Sequence, residues 1–136
     1  MTSPFDDSFI AWMSEKTFLV VEDMASSRML ESSLLRGLGA KKVVAAVDGA
    51  DALAKLDGGA ARPDIIICDW VMPGIDGMGV LDAAKKRLPG VKVIMVTAKT
   101  DLEDVKTAHS HGADGYVAKP FTRDTLVSAL KKIQGG

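Results

Sequence analysis

From residue 16 onward, the chain alternates short apolar runs rich in β-branched residues with longer stretches whose apolar residues recur at helical spacing. A short, continuous apolar run is typical of a strand that is buried on both faces of a parallel sheet. The alternation therefore predicts a parallel sheet with helices on both faces. The five predicted strands are Phe18–Val21, about Lys42–Ala46, Ile65–Cys68, Val91–Val96 and a short one around Tyr116–Val117.

Five predicted helices follow these strands one by one. They run from Met24 to about Leu38, over Leu53 and Leu56, from Met78 to Leu88, from Asp101 to about His111, and from about Thr122 to Ile133. With right-handed crossovers, this order gives a doubly wound α/β sheet. Of the two common strand orders, 2-1-3-4-5 suits the length of the chain better. We therefore predict one domain over residues 16–136.

Residues 1–15 lie outside this pattern and form an N-terminal extension. The polar residues Asp6, Asp7 and Ser8 are suited to cap a short helix. That helix would carry four apolar residues: Phe9, Ile10, Trp12 and Met13. We expect it to pack onto the domain and cover apolar surface, with docking of a partner or self-association as the alternative.

Composition excludes several classes of function. The apolar runs are far too short to cross a bilayer, and the N-terminus lacks the basic and apolar segments of a secretory signal, so we predict a cytoplasmic protein. The formal net charge is −1 and the basic residues are dispersed, which argues against nucleic-acid binding. The single cysteine, Cys68, excludes an internal disulfide and a cysteine-rich metal site.

Polar residues collect where the predicted strands end. Glu22 and Asp23 end the first strand, Asp69 ends the third, Thr97 ends the fourth, and Lys119 follows the fifth. Open α/β sheets bind ligands at the carboxyl ends of their strands, in the crevice where strand order reverses. For the order 2-1-3-4-5, this crevice lies between the first and third strands, so we expect these side chains to converge.

This set of residues is suited to phosphoryl transfer. Three neighbouring carboxylates repel one another unless one is protonated or a cation joins them. Oxygen ligands without cysteine or histidine select Mg²⁺, Ca²⁺ or Mn²⁺, and Mg²⁺ keeps coordination sites for a phosphoryl oxygen. The Asp69 carboxylate can act as a nucleophile on phosphorus. The Lys119 ammonium and the Thr97 hydroxyl can stabilise the transferred group.

At the same residues the sequence resembles the receiver domains of two-component response regulators, particularly the stand-alone, CheY-like kind that acts in chemotaxis. The matching stretches are FLVVED at 18–23, CDWVMPGIDG at 68–77, MVTA at 95–98 and GYVAKPF at 115–121. The resemblance covers about residues 16–133 and implies a flavodoxin-like fold. It also implies a signalling protein that catalyses only its own phosphorylation and dephosphorylation.

The resemblance assigns a role to each acid. Asp69 would be the phosphoacceptor, charged from a phosphohistidine of a sensor histidine kinase or phosphotransfer protein. Mg²⁺ would be held by Asp23, Asp69 and the backbone carbonyl of Val71, with Glu22 acting directly or through a water molecule. The extra methylene of Glu22, where aspartate is frequent in the family, leaves both modes of metal contact open.

The resemblance also implies a switch. Thr97 and Lys119 would bind the phosphoryl group, and Tyr116 would rotate inward when Thr97 moves. Pro120 stands at the family's cis-proline position, which shapes the loop. A face formed by the fourth predicted helix, the fifth strand and the fifth helix would then bind a downstream target protein. The alternative for Tyr116 is an ordinary half-buried strand residue.

Two other functions stay open at this point. A metal-dependent phosphatase or phosphotransferase of the haloacid dehalogenase type would also use Asp69, but such enzymes usually carry a second acid where this chain has Val71. The second alternative is a receiver-like scaffold that is not phosphorylated.

Because the Val71 side chain cannot orient an attacking water, we expect slow loss of a phosphoryl group from Asp69.

Overall fold

The computed structural model describes residues 6–57, 62–99 and 101–136. Its helices are α1 (Asp7–Met13), α2 (Ala25–Gly37), α3 (Gly49–Asp57), α4 (Gly77–Arg87), α5 (Leu102–Ser110) and α6 (Arg123–Gly135). Its strands are β1 (Thr17–Val21), β2 (Lys42–Ala46), β3 (Ile65–Cys68), β4 (Lys92–Thr97) and β5 (Gly115–Ala118). No helix within the described residues is long and apolar enough to span a membrane.

The five strands form one parallel sheet in the order β2-β1-β3-β4-β5, which confirms the predicted fold class. In the central pair, Val21 lies opposite Cys68, so β1 and β3 end side by side. β4 includes Thr97 and begins one residue later than predicted, at Lys92. The acids that follow β1 and β3 therefore emerge at the same edge of the sheet.

The sheet is covered on both faces, and its strands supply both cores by alternation. Leu19 and Ile66 face a core that includes residues of α3, α4 and α5. Val20 and Ile67 face the opposite core, which includes residues of α1, α2 and α6. Continuous burial of all four residues of β3 explains why this strand reads as an uninterrupted apolar run.

The structure has six helices among the described residues instead of the predicted five, because the N-terminal segment forms α1. Asp6 is its N-cap and accepts a hydrogen bond from the Phe9 N–H at 2.8 Å. Phe9 and Met13 are fully buried, whereas Ile10 is 45% exposed. Because Phe9 and Met13 belong to the same core as residues of α2 and α6, α1 is part of the helical layer on this face of the sheet.

The division of the chain at residue 15 stays a prediction, since α1 shares its core with the rest of the described chain. Residues 1–5 lie outside the described residues.

Gly77, the first residue of α4, lies very close to the residues that follow β3. A Cβ atom on Gly77 would lie 2.2 Å from the Asp69 carbonyl oxygen, and the Gly77 N–H donates to the Trp70 carbonyl at 2.8 Å. The start of α4 thus presses directly against the segment that carries Asp69.

Candidate functional site

Three carboxylates meet where β1 and β3 end. Glu22 and Asp23 follow β1, Asp69 follows β3, and one oxygen from each lies within 4.8 Å of the others. Glu22 is fully buried and Asp69 is 8% exposed, whereas Asp23 faces solvent. The structure thus brings together the three acids that the sequence placed at neighbouring strand ends.

Lys119 bridges two of these acids. Its Nζ donates to Glu22 Oε2 at 2.6 Å and to Asp69 Oδ2 at 3.2 Å. The Lys119 backbone N–H donates to the Thr97 carbonyl at 3.0 Å, which fixes the lysine to the end of β4. The Lys119–Pro120 peptide bond is cis, as expected from the motif. One ammonium group therefore compensates two buried carboxylates from different strands.

Burial and pairing act in opposite directions on this ion cluster. Burial raises the pKa of Glu22, although hydrogen bonds from Lys119 and from the Met24 N–H act against this rise. Burial lowers the pKa of Lys119, but its contacts with the Glu22 and Asp69 carboxylates outweigh burial and raise that pKa. Lys119 therefore stays cationic over the whole neutral range, as a fixed positive charge beside Asp69.

Thr97 is fully buried as the last residue of β4. Its Oγ1 accepts a hydrogen bond from the Lys99 N–H at 3.3 Å, and its backbone pairs in register with Ala118 of β5. The residue thus lies at the same sheet edge as the acids, one strand away from Asp69. Its role toward a phosphoryl group stays a prediction.

Tyr116 is connected to the segment that follows Thr97. Its hydroxyl donates to the Lys99 carbonyl, while the Lys99 Nζ lies 5.1 Å from the centre of the Trp70 ring and 3.7 Å from Asp104 Oδ2. Burial, together with the negative charges of Asp104 and Asp101, raises the pKa of Tyr116 to about 12. The hydroxyl is therefore a neutral donor that joins β5 to the loop after β4.

Glu31 is a site residue that was not predicted from the sequence. It lies in α2, is 1% exposed, and its carboxyl group lies against the side chain of Glu22. Burial raises its pKa to about 8. Repulsion from the Glu22 and Asp69 carboxylates and a hydrogen bond to the Glu22 side chain add to this rise, and Lys119 opposes it. A signal was present, because Glu31 precedes Leu35 by four residues and Leu38 by seven, and both leucines are buried.

Glu31 makes stability depend on pH in a defined direction. Between the ordinary pKa of a glutamate and about 8, the folded state binds more protons at Glu31 than the unfolded state. The free energy of unfolding of the wild type therefore falls as pH rises through this window. We expect Glu31→Gln to gain stability over the wild type, on the order of 1 kcal/mol or more, between about pH 5 and about pH 9.

Urea unfolding with a chelator present measures this difference at each pH. Glu103→Gln, which alters an exposed glutamate of α5, is the matched control and should follow the wild-type pH profile. A Glu31→Gln profile parallel to that of the wild type would contradict the assignment of the pH dependence to Glu31.

The donor set of the cluster fits a hard divalent cation. It offers carboxylate oxygens only, with no histidine or cysteine among the three grouped residues. Such ligands favour Mg²⁺, Ca²⁺ or Mn²⁺ over zinc or copper. Three carboxylates and a single ammonium also leave the cluster with a net negative charge, which a divalent cation would neutralise. Val71, whose carbonyl is the fourth predicted ligand, has a side chain that is 62% exposed at the rim.

Comparisons with known proteins agree with this geometry. The family model for the response regulator receiver domain matches residues 18–131. Chemotaxis protein CheY of Pseudomonas aeruginosa is 38% identical over 117 residues, which cover 85% of this chain and 93% of that protein. Chemotaxis protein CheY-3 of Vibrio cholerae is also 38% identical over 117 residues, covering 85% of this chain and 88% of that protein.

A solved structure extends the agreement to three dimensions. The chemotaxis protein CheY4 of Vibrio cholerae, crystallised at low pH, superposes with a TM-score of 0.79 and 32% sequence identity, covering 87% of this chain and 98% of that one. The match includes the five-stranded sheet, at whose edge the acids and Lys119 meet. The chain therefore belongs to the response regulator receiver domain family.

Proposed function

We propose that Asp69 accepts a phosphoryl group from a phosphohistidine of a sensor histidine kinase or phosphotransfer protein. The observation that carries this proposal is the Lys119 ammonium, 2.6 Å from Glu22 and 3.2 Å from Asp69 within a cluster of three carboxylates. In support of the proposal, this arrangement would surround a nucleophilic Asp69 with a positive charge and with the ligands of a divalent cation. The protein would catalyse only its own phosphorylation and dephosphorylation, as a signalling protein.

In the transfer step, a carboxylate oxygen of Asp69 attacks phosphorus in line with the donor nitrogen. The P–N bond breaks, its electron pair stays on the imidazole, and Asp69 becomes an acyl phosphate. Lys119 compensates negative charge on the phosphoryl oxygens, and the Thr97 hydroxyl donates to one of them. A bound Mg²⁺ would be held by Asp23, Asp69 and the Val71 carbonyl, with Glu22 acting directly or through water, and it would compensate negative charge on the phosphoryl oxygens.

The signal would leave through α5, β5 and α6. Movement of Thr97 toward the phosphoryl group displaces the segment that includes Lys99, whose carbonyl accepts the Tyr116 hydrogen bond. A change at this contact alters the position of the Tyr116 ring and hence the surface beside β5. The proposed output is a contact with a downstream target protein on this surface. It requires neither nucleic acid nor insertion into a membrane.

The pathway that we propose is chemotaxis, in the cytoplasm. Its support is the pair of chemotaxis relatives, each 38% identical to this chain, and the CheY4 structure with a TM-score of 0.79. The target on α5, β5 and α6 would then be a component that responds to the phosphorylated form.

Incubation with Mg²⁺ and acetyl phosphate, followed by intact mass measurement, tests the phosphoacceptor. We expect the mass of one phosphoryl group to be added to the wild type and nothing to be added to Asp69→Asn or in the presence of a chelator. Labelling that survives in Asp69→Asn would overturn the assignment of the acceptor. Absence of labelling in the wild type would favour an unphosphorylated scaffold, and continuous hydrolysis of small phosphate esters would favour a phosphatase.

Val71 should set the lifetime of the phosphoryl group. Its side chain is apolar and 62% exposed, so it offers no hydrogen bond to orient a water molecule for attack on the acyl phosphate. We expect Val71→Asn to shorten the half-life several-fold. This is less than the roughly 100-fold or more of general acid–base catalysis, because an amide can hold the attacking water but cannot accept its proton. Loss of phosphoryl mass after rapid removal of acetyl phosphate measures it, with Val47→Asn, an exposed change on another loop, as control. Equal half-lives in the wild type and Val71→Asn would contradict this explanation.

A further inference from the structure

The turn between β1 and α2 carries Asp23, the exposed acid of the carboxylate cluster. Its carboxylate makes no hydrogen bond or ion pair with any residue that the structure describes. Glu22, by contrast, is held at both oxygens, because Oε1 accepts from the Met24 N–H at 3.2 Å and Oε2 accepts from Lys119. The position of the Asp23 carboxylate therefore depends on the backbone of this turn.

Arg28 holds the peptide unit that leads into Asp23. The hydrogen bonds of the sheet end at Glu22, whose N–H donates to the Ala46 carbonyl at 3.2 Å. The Glu22 carbonyl, which comes next, accepts a hydrogen bond from Arg28 Nη1 at 3.0 Å. This carbonyl and the Asp23 N–H belong to the same planar peptide unit. The half-buried guanidinium group therefore fixes the orientation of the unit from which Asp23 extends.

Arg28 also belongs to the first turn of α2. Its backbone N–H donates to the carbonyl of Met24, the N-cap residue, at 2.9 Å. The Met24 side chain makes no capping hydrogen bond, and α2 has no acidic residue in its first turn. Through its backbone and its side chain, Arg28 thus ties the start of the helix to the peptide unit before Asp23.

We infer that Arg28 is a positioning residue for Asp23 as a ligand of the divalent cation. A ligand that is already oriented loses less conformational freedom on binding, so support of this peptide unit strengthens cation binding. Residues that support the ligands of a metal commonly change its affinity by about 10-fold or more when they are replaced. The inference rests on the proposed function, because it concerns the Mg²⁺ that would assist phosphoryl transfer to Asp69.

The charge of Arg28 acts in the opposite direction, because a guanidinium near the acid cluster repels a divalent cation. Asp51 of α3 compensates part of that charge. Hydrogen bonds from Lys55 and from the Val47 N–H lower the pKa of Asp51, and the Arg28 charge adds to this effect. Support of the turn and repulsion of the cation predict opposite results when Arg28 is replaced by a neutral residue, so variants separate them.

Calorimetric titration of the unphosphorylated protein with Mg²⁺ tests the inference without a phosphodonor. The variants are Arg28→Gln, which removes the charge, and Arg28→Lys, which keeps the charge and one donor group. Arg36→Gln removes an exposed arginine from the last turn of α2 and is the matched control. Asp23→Asn, alone and combined with Arg28→Gln, completes a double-mutant cycle. Urea unfolding with a chelator checks that each variant is folded, and Arg28→Lys carries the test if Arg28→Gln does not fold.

We expect Arg28→Gln to raise the Mg²⁺ dissociation constant about tenfold and Arg28→Lys to raise it about threefold. Arg36→Gln should stay within about twofold of the wild type. In the Asp23→Asn background, Arg28→Gln should change the dissociation constant by less than about twofold, because the ligand that it positions is already altered. Unchanged or tighter Mg²⁺ binding in Arg28→Gln and Arg28→Lys would overturn the inference. So would a tenfold loss that persists in the Asp23→Asn background.

Labelling with acetyl phosphate separates this inference from the proposed function. In the Arg28 variants, the Mg²⁺ concentration that gives half-maximal labelling of Asp69 should rise by the same factors as the dissociation constants. If the wild type and variants bind Mg²⁺ in the expected order but the wild type is not labelled, the proposed function is refuted and the positioning role of Arg28 is supported. Absence of Mg²⁺ binding in the wild type would overturn the inference itself.

Discussion

Replacing Lys119 with methionine is expected to slow labelling of Asp69 by acetyl phosphate about 100-fold. The wild-type ammonium lies 3.2 Å from Asp69 Oδ2 and 2.6 Å from Glu22 Oε2, and its raised pKa keeps it charged. A preorganised donor of this kind stabilises charge that develops on the transferred phosphoryl oxygens. Methionine keeps much of the side-chain volume but removes the charge and the hydrogen-bond donors.

A second consequence of Lys119→Met concerns the acids themselves. Lys119 is the largest influence that lowers the pKa of Glu22 against the effect of burial, so its removal raises that pKa further. Protons would then compete more strongly with a divalent cation for the Glu22 carboxylate. We therefore expect the variant to need a higher Mg²⁺ concentration for half-maximal labelling, with the difference largest at low pH.

Initial labelling rates by intact mass, measured at several Mg²⁺ concentrations, test both effects. Lys41→Met removes an exposed lysine just before β2 and serves as control, with wild-type rates expected. A Lys119→Met rate within about threefold of the wild type at saturating Mg²⁺ would contradict a direct role of the ammonium in the transfer.

The architecture was predictable because local patterns and the positions of polar residues agree. Ile65–Cys68 is a continuous apolar run in the sequence and a fully buried central strand in the structure, with the same limits. Asp69 follows that strand directly, and the strand order 2-1-3-4-5 then places it beside the end of β1. The parallel sheet therefore turns sequence positions at strand ends into neighbours in space.

The individual contacts were not predictable, since they depend on loops and side-chain packing. Lys119 and Glu22 are 97 residues apart, and their 2.6 Å contact requires the actual course of the segment after β5. Glu31 was overlooked because a charged residue in an amphipathic helix is usually on the exposed face. Its spacing from Leu35 and Leu38 nevertheless puts Glu31 on the buried face of α2, although its side chain is polar.

The N-terminal helix shows the opposite case, in which a region of weak sequence signal proved to be tightly packed. Residues 7–13 form only two turns, too few for a stable isolated helix, so α1 depends on its tertiary contacts. Phe9 stacks on Trp12 with ring centres 5.9 Å apart, and the Lys131 Nζ of α6 lies 5.8 Å from the Phe9 ring centre. A salt bridge of 3.3 Å joins Lys131 to Asp6 at the helix start.

Phe9→Ala is therefore expected to lower the free energy of unfolding by about 3 kcal/mol, the range found for large aromatic residues removed from a core. Phe9 is fully buried and belongs to the core formed by α1, α2, α6 and one face of the sheet. Ile10→Ala, at a position of the same helix that is 45% exposed, is the matched control and should change stability by less than about 1 kcal/mol. Urea unfolding monitored by circular dichroism measures both values.

Equal, small effects of Phe9→Ala and Ile10→Ala would show that α1 contributes little to the fold and that residues 1–15 are a dispensable extension. A large effect confined to Phe9→Ala would make α1 part of the folding unit, because its loss uncovers the apolar surface of that core. Acetyl phosphate labelling of the folded fraction should persist in both variants, since Phe9 packs on the opposite face of β1 from Val21, which leads into Glu22. The stability contributed by α1 and the acceptance of a phosphoryl group would then depend on different parts of the domain, namely one face of the sheet and the edge where its strands end.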